Sequence, residues 1–217
     1  MANTVLIIVN QPIVDQQRFR QAWDACDHRA VLDGAANTLY DVDPTLRPDF
    51  IIGDLDSITD TTRKLYEGMG VPVIEKPSQY ATDFGKAMQE SVERWPGTKQ
   101  FLAFGALGGR VDHSMHSIMC LSRVQQELGV RLLLHSAQNM TFLIAEAARV
   151  LTPRDLVKKA VGIAPIMGSA HITTKGLIYD VTDWETSFTT QVSTSNYIVA
   201  DWVTVETRGP VVFTVEI

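Results

Sequence analysis

No apolar run in the chain approaches the ~20 residues needed to cross a bilayer. The first such run, Val5–Val9, has only the length of a strand. The start also lacks a basic stretch and a small-residue cleavage site, so a signal peptide is not expected. Cysteine is nearly absent. Cys26 and Cys120 stand far apart, which excludes a disulfide framework and a paired zinc site and points to a reducing cytoplasmic setting. A surplus of positive charge is missing too. Against 25 Asp and Glu stand 19 Lys and Arg, a net charge of −6. That balance argues against nucleic-acid binding through bulk charge. Glutamate is missing from the first quarter of the chain. The first ten acidic residues, Asp15 to Asp60, are all Asp, and Glu67 is the first Glu. Asp is the short carboxylate of turns and caps, and also of magnesium–phosphate sites. Most of the ten are expected to be loop residues, with a few gathered around a metal.

What is present reads as two parts within 217 residues. Residues 1–138 alternate short apolar runs with amphipathic segments: strands at Thr4–Val9, Ala30–Leu32, Phe50–Ile52, Val71–Ile74, Phe101–Phe104 and Arg131–His135, and helices between them. That rhythm predicts an α/β domain on a mainly parallel, Rossmann-like sheet, with ligands beyond the strands' carboxyl ends. Residues 139–217 are rich in Val, Ile, Thr and aromatics, and turn signals separate the runs. They predict an all-β sandwich of eight strands, including Leu156–Val161, Leu177–Val181 and Thr189–Thr194.

Four segments at expected strand ends could carry chemistry. Asp33-Gly34 is an Asp-Gly turn into a helix. In Gly53-Asp54-Leu55-Asp56-Ser57 the two carboxylates could reach one cation if Gly53 permits a turn; equally, Asp56 or Ser57 could simply cap the next segment. In Gln79 to Lys86, Thr82 suits an N-cap, Asp83 the first helical turn and Lys86 a place three residues on. This is ordinary helix stabilisation, or a helix N-terminus turned toward phosphate and metal. Gly105 to His113 is the most telling run. Gly108 and Gly109 let the backbone approach an anion, Arg110 can grip phosphate, and Asp112 opens a helix beside His113. It is neither a P-loop nor GxGxxG. His113 and His116 lack a third zinc-type ligand. In the β part, Ser193-Thr194-Ser195-Asn196 taken alone is a polar hairpin.

In this order, together with Thr173-Thr174-Lys175-Gly176-Leu177 and the last two strands, these segments make the chain similar to the thiamine pyrophosphokinases of eukaryotic type. The resemblance spans nearly the whole length. One departure is visible: Tyr179 stands where the family often has Trp.

The resemblance implies transfer of pyrophosphate from Mg²⁺-ATP to the hydroxyl of thiamine, giving thiamine diphosphate and AMP. It implies a homodimer with active sites at the subunit interface, and neither nucleic-acid nor membrane partners. Asp54, Asp56, Asp83 and Asp112 are then the expected Mg²⁺ ligands, direct or through water, and Lys86 and Arg110 the phosphate neutralisers. Asp33, Gly34, Gly53, Ser57, Thr82, Gly108, Gly109 and His113 are expected around ATP, and Gln79, Ser195 and Asn196 around thiamine. Two other readings compete on parts of the pattern. A DxD-dependent hydrolase or sugar transferase leaves the Gly-Gly-Arg loop unexplained. A non-catalytic binding module leaves the several acidic residues unexplained.

Overall fold

A computed structural model describes residues 3–77 and 80–217. The chain divides into two compact units, Met1–Ala137 and Gln138–Ile217. The first contains β1 (Thr4–Ile8), α1 (Gln16–Ala25), β2 (His28–Leu32), α2 (Ala35–Val42), β3 (Phe50–Gly53), α3 (Asp60–Gly68), β4 (Val73–Glu75), α4 (Asp83–Arg94), β5 (Gln100–Phe104), α5 (Val111–Leu128) and β6 (Arg131–His135). Its strands are all parallel, in the order β6-β5-β1-β2-β3-β4.

The central strand explains this placement. Val5, Leu6, Ile7 and Ile8 are fully buried on both faces, as a strand must be when helices cover each side of its sheet. Several helices are started by a local signal. The Asp15 carboxylate accepts the Arg18 N–H at 2.9 Å and caps α1, Thr59 caps α3 and Thr82 caps α4. Gly129, at φ 65°, ends α5 in the left-handed conformation. From α1, Phe19 and Trp23 are buried, and Phe19 meets Phe104 of β5 edge-on at 5.3 Å.

The functionally important feature is the reversal of strand order at β1. The chain runs outward through β2, β3 and β4 on one side, then returns to β5 and β6 on the other. The segments after β1 and β5 therefore diverge and leave a crevice at the carboxyl edge, where open α/β sheets bind ligands.

The second unit contains β7 (Asn139–Ile144), β8 (Ala147–Leu151), β9 (Ala160–Pro165), β10 (Ala170–Lys175), β11 (Trp184–Thr186), β12 (Ser193–Tyr197), β13 (Trp202–Arg208) and β14 (Val211–Glu216). They pair antiparallel as β12-β9-β14-β7 and β11-β10-β13-β8. Ile144, Val161, Ile163, Val211, Phe213 and Val215 from the first group share one core with Ile172, Val203 and Val205 from the second. This is the sandwich that the alternating pattern predicts.

Three predicted strands are displaced. Leu156 and Val157 do not pair; their N–H groups fold back onto the Pro153 carbonyl, and the strand starts at Ala160. Leu177–Val181 is not a strand but a turn. The Asp180 carboxylate gathers it by accepting the Thr174 hydroxyl and the Gly176 and Leu177 N–H groups, so a local side-chain network replaces the ladder. The predicted strand at Thr189–Thr194 begins only at Ser193. The three-residue β11 was not anticipated.

One buried group gives the first unit a pH dependence. His135, at the end of β6, stacks on Phe104 at 4.3 Å, and among the described residues its Nδ1 finds no hydrogen-bond partner. Burial, with Arg18 adding to it, pushes its pKa down to about 4. The native state therefore resists protonation that the unfolded chain accepts near about 6.5, and stability falls as pH drops through that window. At pH 5 the loss is about 2 kcal/mol. His135→Phe is expected to flatten this part of a urea-denaturation profile, and an unchanged profile would show that another group controls it.

Candidate functional site

Asp33 follows β2 directly and is buried. Its N–H donates to the Ile52 carbonyl, tying the end of β2 to β3. Its carboxylate accepts the Ser57 N–H at 3.1 Å and the Ile58 N–H at 2.9 Å, so it folds the loop after β3 around itself. Gly53, the last residue of β3, is required by space. A Cβ there would lie 2.5 Å from the Asp33 Cβ and 3.2 Å from Asp83 Oδ2. The expectation that Gly53 provides the turn needs correcting: the left-handed residue of this loop is Leu55, at φ 61°. Such a conformation costs a Leu about 1–2 kcal/mol, and it is held by a loop that Asp33 already anchors. Gly34 is also crowded: a Cβ there would stand 2.5 Å from the movable Asn10 Nδ2 and 3.1 Å from the Ser57 Cβ.

Thr82 caps α4 and places Asp83 in the first turn. Lys86, one turn on and buried, donates from Nζ to Asp83 Oδ1 at 2.8 Å. Oxygens of Asp33, Asp54 and Asp83 lie within 4.8 Å of one another. Among the described residues this is the only gathering of three potential metal ligands. It differs from the expected set. Asp33, expected near ATP, joins the cluster, whereas Asp56 accepts the Ser57 hydroxyl at 2.7 Å and Asp112 accepts both Arg110 Nε at 3.1 Å and Nη2 at 2.6 Å. Burial, chiefly, raises the Asp33 pKa; the neighbouring Asp56 and Asp83 add to this, and the two backbone N–H groups oppose it. Proton and cation therefore compete for the same oxygen. An all-oxygen carboxylate set fits a hard divalent cation such as Mg²⁺.

Across the crevice lies the glycine-rich loop after β5. Gly105 (φ 79°), Gly108 (φ 135°) and Gly109 (φ 62°) all take conformations that other residues resist. A Cβ on Gly109 would stand 2.6 Å from Gln11 Nε2. The Ser114 hydroxyl accepts the Gly108 N–H at 3.1 Å. Arg110 and Asp112 form an exposed pair, and Arg110 holds the Asp112 carboxyl below the usual carboxylate range. His113 is exposed on the first turn of α5. Sequence reasoning overlooked Asn10 and Gln11, whose side chains border Gly34 and Gly109. The available signal was their position just past the carboxyl end of the first apolar strand.

Gln79 lies outside the described residues. In the β unit, Ser195 is exposed at φ 56° within an irregularity of β12. Asn196 is buried and engaged internally. Its Oδ1 accepts the Tyr179 and Tyr197 N–H groups at 3.1 and 2.8 Å, and its Nδ2 donates to the Tyr179 carbonyl at 3.0 Å. It holds the loop that presents the exposed Tyr179 ring.

Two family matches cover these parts: "Thiamin pyrophosphokinase, catalytic domain" over residues 19–133 and "Thiamin pyrophosphokinase, vitamin B1 binding domain" over residues 148–212. The chain is 30% identical to a thiamine pyrophosphokinase of Saccharomyces cerevisiae, across 99% of this chain and 86% of that protein. It is also 30% identical to thiamine pyrophosphokinase 1 of Arabidopsis thaliana, across 98% and 85%. The crystal structure of a yeast thiamin pyrophosphokinase superposes with a TM-score of 0.92 at 28% identity, covering 99% of this chain and 86% of that one.

The geometry predicts that Gly53→Ala, a single methyl group, pushes Asp33 and Asp83 apart. Activity should fall by at least about a hundredfold with a loss of about 1–3 kcal/mol in stability. Near-normal turnover in this variant would show that the cluster need not be tight.

Proposed function

The chain belongs to the thiamin pyrophosphokinase family and carries that activity, and we propose how its own residues perform it. The reaction moves pyrophosphate from ATP to the hydroxyl of thiamine, giving thiamine diphosphate and AMP. The thiamine oxygen forms a bond to the β-phosphorus, and the bond from that phosphorus to the oxygen bridging it to the α-phosphorus breaks. AMP leaves with that electron pair, and the hydroxyl proton passes to an aspartate of the site. Chemistry of this kind depends on alignment and charge neutralisation more than on a covalent intermediate.

The observation that carries the assignment is the meeting of Asp33, Asp54 and Asp83 at the carboxyl edge of the sheet, with Lys86 against Asp83. These three carboxylates would hold Mg²⁺, with Asp56 and Asp112 reaching it through water. When bound, the cation supplies neutralisation of phosphate charge. Lys86 keeps Asp83 turned inward. Arg110 exchanges its exposed partner Asp112 for a phosphate, which a bidentate guanidinium can do without leaving a buried charge unpaired. The positive-φ glycines let the backbone of residues 108 and 109 approach the phosphates, and the start of α5 adds the positive end of its helix dipole. Gly34, Gly53, Ser57, Thr82 and His113 border the nucleotide.

Thiamine is assigned to Gln79 and to the β unit. Ser195 offers an exposed hydroxyl there, and Asn196 acts at one remove by fixing Tyr179, an exposed ring on a pinned turn. Two copies of the chain would complete the site. In support, Val111, Met115 and Met119 recur every four residues on α5 and stand exposed, an uncovered apolar stripe of the type that pairs helices between subunits. A cytoplasmic location is supported by two buried free cysteines whose thiols burial pushes up to about 11, which keeps them protonated and inert. No helix among the described residues is long and apolar enough to cross a membrane.

An assay of AMP release is expected to need thiamine, ATP and Mg²⁺ together. Asp83→Asn should lower kcat by at least about a hundredfold while the circular dichroism spectrum stays native. A variant near the wild-type rate at saturating Mg²⁺ removes Asp83 from the cation site. Ser195→Ala should raise KM for thiamine about tenfold and leave KM for ATP within about twofold. Equal rises for both substrates would contradict a thiamine role.

A further inference from the structure

His116 sits on α5, just past the first turn, and its imidazole reaches across to the start of α4. Its Nε2 stands 2.9 Å from Thr82 Oγ1 and 3.5 Å from the Cys120 sulfur. The same Thr82 oxygen accepts the Gly85 N–H at 3.2 Å, which is the cap of α4. Asp83 follows at once, and Lys86 is one turn on.

Packing alone does not hold Thr82 in that rotamer. The residue is exposed and borders a cavity of about 340 Å³ between α4 and α5. Burial, helped by Arg123 and His113, lowers the His116 pKa, so the ring is neutral near pH 7. The Cys120 thiol beside it stays protonated. A neutral ring with its lone pair on Nε2 accepts the Thr82 hydroxyl proton and leaves a Thr82 lone pair for Gly85. One hydroxyl thus joins the cap of the helix carrying Asp83 to the helix that grows out of the glycine-rich loop.

We propose that His116 is a positioning residue for pyrophosphoryl transfer: by holding the Thr82 hydroxyl in its capping rotamer, it fixes the first turn of α4 and with it the aim of Asp83 and Lys86. The proposal rests on the reading that Asp83 belongs to the cation site. His116 lies outside the three-carboxylate cluster. Its effect runs through a cap, and a cap governs whether the first turn is formed or frayed.

The test uses the full-length chain with His116→Leu, which fills similar space without the hydrogen bond, and His116→Gln, whose amide can reach Thr82. For the Leu variant, exchange of the Gly85 amide with solvent deuterium should speed up about tenfold, and kcat should fall about tenfold. Its KM for thiamine should stay within about twofold. The Gln variant should recover most of both losses. Thr82→Val combined with His116→Leu should be no worse than Thr82→Val alone, since both remove one interaction. Wild-type kcat in the Leu variant, losses that multiply in the double variant, or a Gln variant as poor as Leu would each overturn the proposal. Full activity of Asp83→Asn would instead overturn the cation-site reading, and the Gly85 exchange would still report whether the latch exists.

Discussion

Three like charges are held together at the carboxyl edge of this sheet, and the rest of the site is arranged around that cost. Carboxylates within 4.8 Å of one another repel by on the order of 3 kcal/mol per pair at the effective dielectric of a protein surface. Two backbone N–H groups on Asp33 and one ammonium on Asp83 offset part of it. The remainder is what a divalent cation at the proposed site would relieve. The architecture supports this at every level. β2 and β3 are neighbours, so Asp33 and Asp54 emerge side by side. Gly53 lacks the methyl that would part Asp33 from Asp83. Leu55 accepts an unfavourable backbone so that the loop can close on Asp33.

The reversal of strand order at β1 supplies the second half. The acidic cluster sits after β2 and β3, while the glycine-rich loop sits after β5, on the other side of β1. The acidic cluster and the glycine-rich loop therefore face one crevice from opposite sides, the arrangement on which the proposed binding of a metal-bound polyphosphate rests. Asn10 and Gln11, just past β1, lie between them, each with its amide against a glycine. α4 carries the third carboxylate and α5 grows from the phosphate loop, and the contact of His116 with Thr82 links the two. The second unit carries the match to the family's vitamin B1 binding domain, and in it Asp180 and Asn196 spend their polar atoms pinning one turn. That turn leaves Ile178 and Tyr179 exposed, held out by the exposed carboxylate of Asp180 and the buried amide of Asn196.

Much of this was legible in the sequence, for physical reasons. A strand buried on both faces reads as an unbroken apolar run, and Val5–Val9 reads that way. A glycine-rich loop between a strand and a helix is visible because glycine has few other uses there. The helix at Asp83 carries its cap, Thr82, in plain view. What was hidden is mostly long-range. Spacing along the chain favours Asp54 with Asp56, but alternation in an extended or turning segment sends them different ways, and the carboxylates that meet are Asp33, Asp54 and Asp83. Gly53 looked like a hinge because its neighbour across the sheet cannot be read locally. Only the resemblance points to Asn196 as a thiamine contact, and the internal hydrogen bonds of its amide leave no trace in sequence. Leu177–Val181 has the composition of a strand, and only the competing bonds of Asp180 make it a turn. β11, three residues long, is too short to carry a pattern.

The most direct test of a cation held by the three carboxylates is a crystal structure of the protein with Mn²⁺ and an ATP analogue whose α–β bridge is methylene. Anomalous scattering then places the cation independently of the protein density. The expected result is a peak within bonding distance of oxygens from Asp33, Asp54 and Asp83 and of at least one phosphate oxygen. A cation held by Asp56 and Asp112 with the three-carboxylate cluster empty would contradict it.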